Sequence, residues 1–283
     1  MSRPTGQDSP RTWPTRPCPL CGRHAEHSGA ALPVPVTCVG CGLVFIDPVP
    51  AEALSPLTYG SEYYEPWQAR EAMPRLRLWR RRLAQIVARR ERGSILDVGC
   101  GDGHFLQVAR QAGWRVDGIE FSPEGARRAA ARLGRPVAVG DLARTGHLPG
   151  PFDVVTLWHV LEHLEEPLPM LGAVRRRVRP GGLLAVAVPN LDNLPMQAAY
   201  RLARGRRLPL YEAGAREPHL SHFSPATLRR LIEMEAFQVI DIVPDRCALR
   251  PPLRLIDAVA AWTSRLSGRI LTDAIVAFAR RAS

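Results

Sequence analysis

The sequence predicts an α/β fold, a doubly wound and mostly parallel sheet, with a small zinc-binding subdomain at the N-terminus. From Ser94 onwards, short apolar segments alternate with amphipathic helical segments, and a glycine-rich turn follows the first apolar segment. Before these segments, four cysteines stand in two Cys-x2-Cys pairs. The length of 283 residues, 46% of them hydrophobic and 23% charged, is typical of a folded globular chain and excludes wholesale disorder.

The chain divides into four predicted parts. They are a flexible tail at 1–17, a zinc-ribbon-like subdomain at 18–50, an aromatic linker with an amphipathic helix at 51–92, and the main α/β domain at 93–283. The linker helix is expected from about Pro74 to Arg90, because apolar residues recur there at helical spacing. The aromatic residues of the linker are Tyr59, Tyr63, Tyr64 and Trp67. We expect two insertions in the main domain, near 190–217 and 245–270.

The chain carries a net charge of +11, and all 38 basic residues are arginines. A strong positive charge often indicates a polyanionic partner, but the complete absence of lysine suggests GC-rich codon usage instead. The arginines are scattered over predicted helix faces, such as 80–82, 89–90 and 127–132, and do not form one block. We therefore interpret them as solvated side chains and do not expect a nucleic-acid partner.

The cellular location is predicted from two features. No apolar segment approaches the roughly 20 residues that span a bilayer, and residues 1–17 are polar and proline-rich, without the apolar segment of a signal peptide. We expect a cytoplasmic location.

A structural zinc site is predicted at Cys18, Cys21, Cys38 and Cys41. Sixteen residues separate the two pairs, and this pattern is typical of structural zinc sites. A glycine follows each pair, which suits a tight turn around the metal. Four thiolates close the coordination shell, so we expect the zinc to hold the fold and not to react with substrate.

Alternatives to zinc are two disulfides or a redox-active dithiol, and a reducing cytoplasm disfavours disulfides. His24 or His27 could replace one cysteine as a ligand. Cys100 and Cys247 have no partner motif, so we interpret them as small core or loop residues.

The first strand of the main domain is expected at 95–98 and runs into a turn that contains Gly99, Gly101 and Gly103. Glycines let a ligand approach the backbone closely, and the amides at the start of the following helix favour an anionic group. The turn does not match the Gly-x-Gly-x-x-Gly pattern of dinucleotide sites, because position 104 is a histidine.

The segment 96–103, Leu-Asp-Val-Gly-Cys-Gly-Asp-Gly, resembles the first motif of the class I S-adenosylmethionine-dependent methyltransferases. Further matches follow in order. The second strand ends at Glu120, and the third, expected at 136–139, leads to Gly140-Asp141-Leu142. Residues 152–157 and 179–183 resemble the fourth strand and the turn into the fifth. The resemblance covers about 94–243. A final strand expected at 273–279 completes the Rossmann-like sheet of seven strands that the family implies.

The resemblance implies a site for S-adenosylmethionine at the carboxyl ends of the strands. In the family, the acid at the position of Glu120 binds both ribose hydroxyls, and the acid at the position of Asp141 recognises adenine together with the next backbone amide. The cofactor-binding residues that we expect are Asp97, Gly99, Gly101, Gly103, Glu120, Asp141, Leu142 and Trp158.

A general base is expected beside the methyl group, because transfer to a protonated acceptor requires removal of a proton. The segment 158–163, Trp-His-Val-Leu-Glu-His, resembles the ubiquinone-pathway O-methyltransferases, and His159 is the first candidate base. The resemblance also suggests an alternative, in which Glu162 and His163 bind a divalent cation. A histidine at the first position disfavours magnesium, so a catalytic metal is not expected, and a hydrogen-bonded turn is the favoured interpretation of Glu162.

A second histidine-rich segment, 218–225, precedes a helix that we expect Ser224 to cap, with Pro225 in its first turn. In similar methyltransferases, among them zinc-containing deoxysugar C-methyltransferases, such a segment returns over the active site. His219 and His222 are therefore the further catalytic candidates.

The two insertions have open roles. Arg204, Arg206 and Arg207 could hold a phosphate, a sulfate or a nucleotide-sugar group, although a solvated helix face is favoured. The segment 251–268 carries an apolar helical face flanked by arginines. It could make a peripheral contact with a membrane surface, but a cover over the sheet or a dimer contact is favoured.

These patterns predict an enzyme, an S-adenosylmethionine-dependent methyltransferase. Its acceptor atom is expected to be oxygen, or else carbon, of a small molecule such as a secondary metabolite, a saccharide or a quinone-like compound. An rRNA base methyltransferase is the alternative, because some of these enzymes carry an N-terminal zinc knot. A non-catalytic module that binds the cofactor is a further alternative, and the acids at three successive strand ends disfavour it.

Overall fold

The computed structural model describes residues 16–23, 33–50, 60, 62–64, 72–144, 148–212, 214–215, 217–247 and 251–282. His24, His27, Tyr59 and Trp67, as well as most of the predicted tail, lie outside these residues.

The strands, in chain order, are β1 Val34–Thr37, β2 Val44–Asp47, β3 Ser94–Val98, β4 Arg115–Glu120, β5 Ala138–Val139, β6 Phe152–Trp158, β7 Val178–Pro189, β8 Ser221–His222, β9 Phe237–Asp245 and β10 Ala274–Arg281. The helices are α1 Ala72–Val87, α2 His104–Gln111, α3 Pro123–Leu133, α4 Pro167–Arg177, α5 Leu194–Arg204, α6 Pro225–Met234 and α7 Pro251–Ser267. A short 3-10 helix spans Leu161–His163. No helix in the described ranges is long and apolar enough to cross a membrane.

The main sheet has seven strands in the order β5-β4-β3-β6-β7-β10-β9. Pairing is parallel from β5 to β7, and β10 runs antiparallel to both of its neighbours. The strand order reverses between β3 and β6, and such a reversal opens a crevice at the carboxyl ends of the strands. The predicted fold class is confirmed.

Two hydrophobic clusters cover the two faces of the sheet, because alternate residues of a strand point to opposite sides. Leu96 and Val155 belong to one cluster, while Ile95 and Val154 belong to the other. Helix α2 contributes Phe105 and Leu106 to the second cluster. Because both faces of the sheet are packed, the strand ends that carry the candidate site are held in fixed positions.

The cysteine-rich segment is joined to the main domain by a second sheet of three strands, β1-β2-β8. Val44 of β2 pairs with His222 of β8, and the amide of Ile46 donates to the carbonyl of Leu220 at 3.0 Å. The strand β8 was not predicted from the sequence, since it has only two residues and its partner lies far away along the chain. The pairing brings the predicted zinc subdomain against one of the two histidine-rich segments.

Several local predictions are confirmed. The predicted linker helix is α1, Ser122 accepts a hydrogen bond from the amide of Gly125 at 3.1 Å, and Ser224 begins α6 with a capping box. Two predictions need correction. The third strand is shorter than 136–139, and residues 179–183, expected as a turn, already belong to β7.

The interpretation of residues 80–82 as solvated is wrong for Arg82. Its side chain is fully buried and forms an ion pair with Asp245 of β9, with Nη2 and Oδ2 2.6 Å apart. An arginine on the inward face of a helix can be buried when a carboxylate compensates its charge. That carboxylate lies in a strand that the helical pattern of α1 does not reveal.

Candidate active site

The glycine-rich turn is held by the carboxylate of Glu120. Its Oε2 accepts a hydrogen bond from the amide of Gly101 at 2.7 Å, and its Oε1 accepts one from the amide of Ser122 at 2.9 Å. Burial raises the pKa of Glu120, while these amides stabilise the ionised form. The carboxylate thus connects the end of β4 to the turn after β3, where the resemblance places the cofactor ribose.

The backbone of this turn requires glycine. Gly99, Gly101 and Gly103 have φ values of 69°, 55° and 75°. A Cβ on Gly103 would lie 2.9 Å from the Cα of Ala129, and one on Gly99 would lie 2.6 Å from Val160. The turn therefore combines left-handed backbone with close packing, which explains the sequence pattern.

Asp97 lies one residue before the end of β3 and is buried, and its Oδ1 accepts a hydrogen bond from Thr156 Oγ1 at 2.6 Å. Burial and the nearby charge of Glu120 raise the pKa of Asp97 to about 8. A buried carboxylate with a raised pKa is suited to a cationic ligand group, because the cation would stabilise the ionised form. The ammonium and sulfonium groups of S-adenosylmethionine fit this requirement.

Asp141 and Leu142 lie after β5 at the same edge of the sheet. Asp141 Oδ1 accepts a hydrogen bond from the amide of Ala143 at 2.8 Å, and 28% of its side chain is exposed, so it remains accessible to a ligand. Leu142 is buried. Carboxylates therefore lie within two residues of the ends of three neighbouring strands, β3, β4 and β5.

Trp158 ends β6, but its indole belongs to the core. The ring packs edge-on against Phe105 with the centroids 5.2 Å apart, and the guanidinium of Arg82 lies 4.8 Å from its centroid. Only 6% of the residue is exposed. Its contacts in the structure are thus those of a packing residue, and a direct contact with the cofactor stays a prediction.

His159 has partners at both ring nitrogens. Its Nε2 lies 2.9 Å from Nη2 of Arg82, and its Nδ1 lies 3.0 Å from Oε1 of Glu162. An arginine can only donate, so Nε2 must accept, and the proton of the neutral ring must reside on Nδ1 and point to the carboxylate. This arrangement orients the ring and engages both of its nitrogens in hydrogen bonds within the protein.

A cluster of three further histidines surrounds the other side of Glu162. The rings of His163 and His219 lie 5.0 Å apart between centroids, and those of His219 and His222 lie 6.1 Å apart. Burial lowers the pKa of both His219 and His222 to about 4, so these two rings are neutral at pH 7. The structure therefore brings the two histidine-rich segments together, as predicted.

Glu162 is buried within this cluster. Burial opposes its ionisation, but the hydrogen bond with His159 and the surrounding histidines lower its pKa to about 2. Glu162, His163 and His219 present ligand atoms within 4.8 Å of one another and could hold a metal ion. His163 Nδ1 lies 3.2 Å from the carbonyl oxygen of Pro218, a contact in which only Nδ1 can donate, so Nε2 is its available ligand atom.

The four cysteines predicted as zinc ligands converge. The sulfurs of Cys18 and Cys41 are 3.5 Å apart, as are those of Cys21 and Cys38, and all four lie within 4.8 Å of one another. A tetrahedral zinc with bonds of about 2.3 Å needs sulfurs about 3.8 Å apart, so the cluster fits the ion. No disulfide joins cysteines of the described residues.

Sequence reasoning missed four residues around the site. Tyr63 donates a hydrogen bond to Glu217 at 2.5 Å, and the buried Tyr64 lies against helix α3 near Gly125. The aromatic composition of the linker was a signal for these tyrosines. Nothing in the local sequence marked the ion pair of Arg82 with Asp245, because the two residues are 163 positions apart.

A family model described as a methyltransferase domain matches residues 69–242, which is more than half of the chain. The chain belongs to the methyltransferase domain family. The predicted membership of the methyltransferase family is thereby confirmed.

The methyltransferase is similar in sequence to curated ubiquinone biosynthesis O-methyltransferases. It is 35% identical to that of Xanthomonas campestris pv. campestris (strain B100) over 119 residues, which cover 38% of this chain and 46% of the relative. It is 31% identical to that of Caulobacter vibrioides over 105 residues, 34% of this chain and 41% of the relative. The chain thus spans less than half the length of these curated relatives.

Solved structures share the fold of the methyltransferase. A Haloferax volcanii methyltransferase in complex with the Trm112 methyltransferase activator has a TM-score of 0.55 at 17% identity, covering 78% of this chain and 97% of that chain. Magnesium protoporphyrin IX methyltransferase from Synechocystis PCC 6803, solved with bound SAH, has a TM-score of 0.53 at 17% identity, covering 80% and 91%.

Proposed function

We propose that the methyltransferase transfers a methyl group from S-adenosylmethionine to a hydroxyl oxygen of a small-molecule acceptor. The observation that carries this proposal is the set of carboxylates, Asp97, Glu120 and Asp141, at three neighbouring strand ends around the glycine-rich turn. The curated relatives are named as O-methyltransferases, which supports oxygen as the accepting atom. A quinone-like phenol is the acceptor class that these names favour.

The cofactor would be held by this chain as follows. Glu120 would offer its carboxylate oxygens to the ribose hydroxyls, Asp141 and the amide of Leu142 would contact the adenine, and Asp97 would pair with a cationic group. Bound S-adenosylmethionine supplies an electrophilic methyl group on a sulfonium. The role of Gly99, Gly101 and Gly103 is to let the cofactor approach the backbone.

His219 is the best supported general base. Its low pKa keeps the ring neutral at pH 7, and the ionised Glu162 nearby would stabilise the imidazolium formed when His219 takes the hydroxyl proton. His222 extends the same cluster and is a second candidate. His159 is better suited to positioning, because Arg82 and Glu162 already engage both of its nitrogens.

The metal ions implied by the chain have different roles in this proposal. The cysteine cluster fits a structural zinc, which would hold β2 and, through it, the strand β8 that carries His222. Glu162, His163 and His219 could accept a second, catalytic ion, and the reaction proposed here does not require it. Four reduced thiolates and the use of S-adenosylmethionine agree with the cytoplasmic location that we propose.

Transfer of labelled methyl from S-adenosylmethionine into a cell extract tests the function. After separation into RNA, protein, lipid and small-molecule fractions, label is expected in the small-molecule or lipid fraction, and Asp97→Ala protein is the control. Label in RNA would establish the rRNA alternative. Label no higher than with Asp97→Ala would leave a cofactor-binding module without catalysis.

A further inference from the structure

The helix α7 has its apolar side facing away from the protein. Leu255, Val259, Trp262 and Leu266 recur along one face of this helix, and their exposed fractions are 70%, 48%, 61% and 68%. We call these four residues the apolar stripe. At about 100° per residue, they fall within an arc of about 60°. Isolated exposed apolar residues are common, but a continuous stripe of four on one helix indicates an interaction surface.

The opposite face of α7 packs on the protein, and it carries small and polar residues. Asp257, Ala260 and Ser264 are buried, and they lie about half a turn away from the apolar stripe. Ser264 Oγ accepts a hydrogen bond from the amide of Leu271 at 2.8 Å, and Asp257 lies 3.9 Å from Arg246. These contacts fix the rotation of the helix, so the stripe cannot turn inward without breaking them. Of the two roles favoured from the sequence, a cover over the sheet is therefore wrong, and a dimer contact stays untested.

The neighbouring helix α5 extends this surface. It packs against α7, yet none of its residues is buried, and Leu202 is 88% exposed. An amphipathic helix of 11 residues with no buried side chain gains little stability from its own protein. It would gain more from a partner that covers both helices.

The charge around the apolar stripe is predominantly positive. We call the exposed arginines of this surface the basic rim; they are Arg201, Arg204, Arg206, Arg207, Arg254, Arg265 and Arg269. Within the described parts of the chain, only Arg206 of this set forms an ion pair, with Glu212 at 3.8 Å. Helix α5 contains no acidic residue, and the one acid of α7, Asp257, is buried.

From this combination we infer that α5 and α7 dock on an anionic lipid bilayer, with the apolar stripe inserted at the level of the head groups. A bilayer supplies both apolar depth for leucine and tryptophan and negative charge for arginine. A second copy of the chain would bring two basic rims together in a symmetric contact, and their repulsion opposes it. A nucleic acid would leave the aliphatic side chains of the stripe without a partner.

The surface lies at the edge of the sheet that carries the candidate site. Helix α5 follows the end of β7. The side-chain amide of Asn190, directly after β7, donates to the carbonyls of Ile270 and Thr272 at 3.0 and 2.9 Å, so the segment after α7 lies at the same end of the sheet. The docked bilayer therefore faces the edge at which β3, β4 and β6 end. The inference itself rests on the exposed residues and not on the acceptor proposed above.

Flotation of the full chain with vesicles tests the inference. We expect the protein to float with phosphatidylcholine vesicles that contain about one-third phosphatidylglycerol, to remain below with pure phosphatidylcholine, and to lose binding in about 0.5 M NaCl. The double variant Arg265→Glu/Arg269→Glu should lower the partition coefficient at least tenfold, since each basic residue near such a surface contributes about fivefold. Leu255→Asp/Leu266→Asp should lower it at least tenfold as well, because it removes apolar side chains that would insert into the bilayer.

The matched controls make the same kinds of substitution on helices outside the proposed surface. Met234→Asp changes a half-exposed apolar residue at the end of α6, next to the opposite edge of the sheet, and Arg175→Glu/Arg176→Glu makes the same charge change on α4. Both should float like the unchanged protein, and circular dichroism checks that all variants fold. Absence of wild-type binding to anionic vesicles would overturn the inference. So would a dimer in light scattering that the stripe variants dissociate, because the second copy would then be the occupant.

Discussion

Arg82 of α1 donates a hydrogen bond to His159 at the end of β6, with Nη2 and Nε2 2.9 Å apart. The same guanidinium binds Asp245 of β9, and Nδ1 of His159 donates a hydrogen bond to Oε1 of Glu162. A helix before the sheet, two strand ends and the turn after β6 are thus connected through one buried chain of polar groups. These hydrogen bonds orient Glu162, and the candidate catalytic histidines lie around its carboxylate.

Removal of Arg82 should strongly destabilise the protein. In Arg82→Ala the buried carboxylate of Asp245 loses its shorter ion pair and keeps only the one with Arg81, at 3.3 Å, so the free energy of unfolding should fall by about 3 kcal/mol. Chemical denaturation measures this change. Arg229→Ala is the matched control, because its pair with Glu233 is exposed and should contribute less than about 1 kcal/mol. Equal effects of the two substitutions would contradict the buried network.

Glu120→Gln should weaken cofactor binding. An amide cannot accept from both Gly101 and Ser122 with equal geometry, and it removes the charge beside the ribose site, so we expect affinity for S-adenosylmethionine to fall about 10- to 100-fold. Isothermal titration calorimetry measures this affinity. Glu124→Gln, in the first turn of α3 and paired with Arg127 and Arg128, should bind normally. Normal binding by Glu120→Gln would remove Glu120 from the cofactor site.

His219→Ala should lower kcat by about 10²- to 10⁴-fold, the range of a lost general base, while affinity for the cofactor stays within about twofold. His159→Ala tests positioning, and its defect should appear together with a loss of stability, because Arg82 loses an acceptor. Steady-state kinetics with the acceptor found by labelling separates these effects. If both variants retain full methyl transfer, the histidine base hypothesis fails.

The stability contributed by His222 should depend on pH. Its pKa is lowered to about 4 by burial, partly offset by Glu162, whereas an unfolded histidine titrates near 6.5. Between these values the unfolded state binds the extra proton, so the contribution is full above about pH 6.5 and is lost as the pH falls towards 4. The destabilisation caused by His222→Gln should therefore be about 2 kcal/mol smaller at pH 5 than at pH 7.5.

Wild type and His222→Gln must be compared at the same pH, because other buried groups also make stability depend on pH. The pKa values of Asp97 and Asp257 are raised to about 8, so their contributions to stability fall as the pH rises, whereas that of His222 increases. Their contributions are common to wild type and variant and cancel in the difference. A difference that does not change with pH would mean that His222 titrates normally in the folded protein.

Cys38→Ser should reduce the zinc content below one ion per chain and loosen the pairing of β2 with β8, since the metal would hold the loop that leads from β1 into β2. Elemental analysis measures zinc, and hydrogen exchange at residues 220–223 reports the pairing. Cys247→Ser, outside the cluster, should keep a full ion. Unchanged stoichiometric zinc in Cys38→Ser would refute the four-cysteine assignment.

The amino-acid sequence by itself determined the elements whose signals are local. The two cysteine pairs, the glycines of the turn after β3 and the caps at Ser122 and Ser224 depend on residues within a few positions of one another, so spacing alone revealed them. The order of strands and helices followed from the same periodicity, and it was sufficient for the fold class and the edge of the sheet where the site lies.

Only the tertiary structure decided how distant residues pair. Arg82 looked like one of many solvated arginines until the carboxylate of Asp245 was brought to it from β9. The strand β8 formed because β2 offered it backbone partners, and this placed His222 in the cluster around Glu162. The apolar stripe of α7 likewise turned outward because Asp257 and Ser264 found partners within the protein. In each case the free energy comes from contacts between residues far apart in the chain, which no local pattern records.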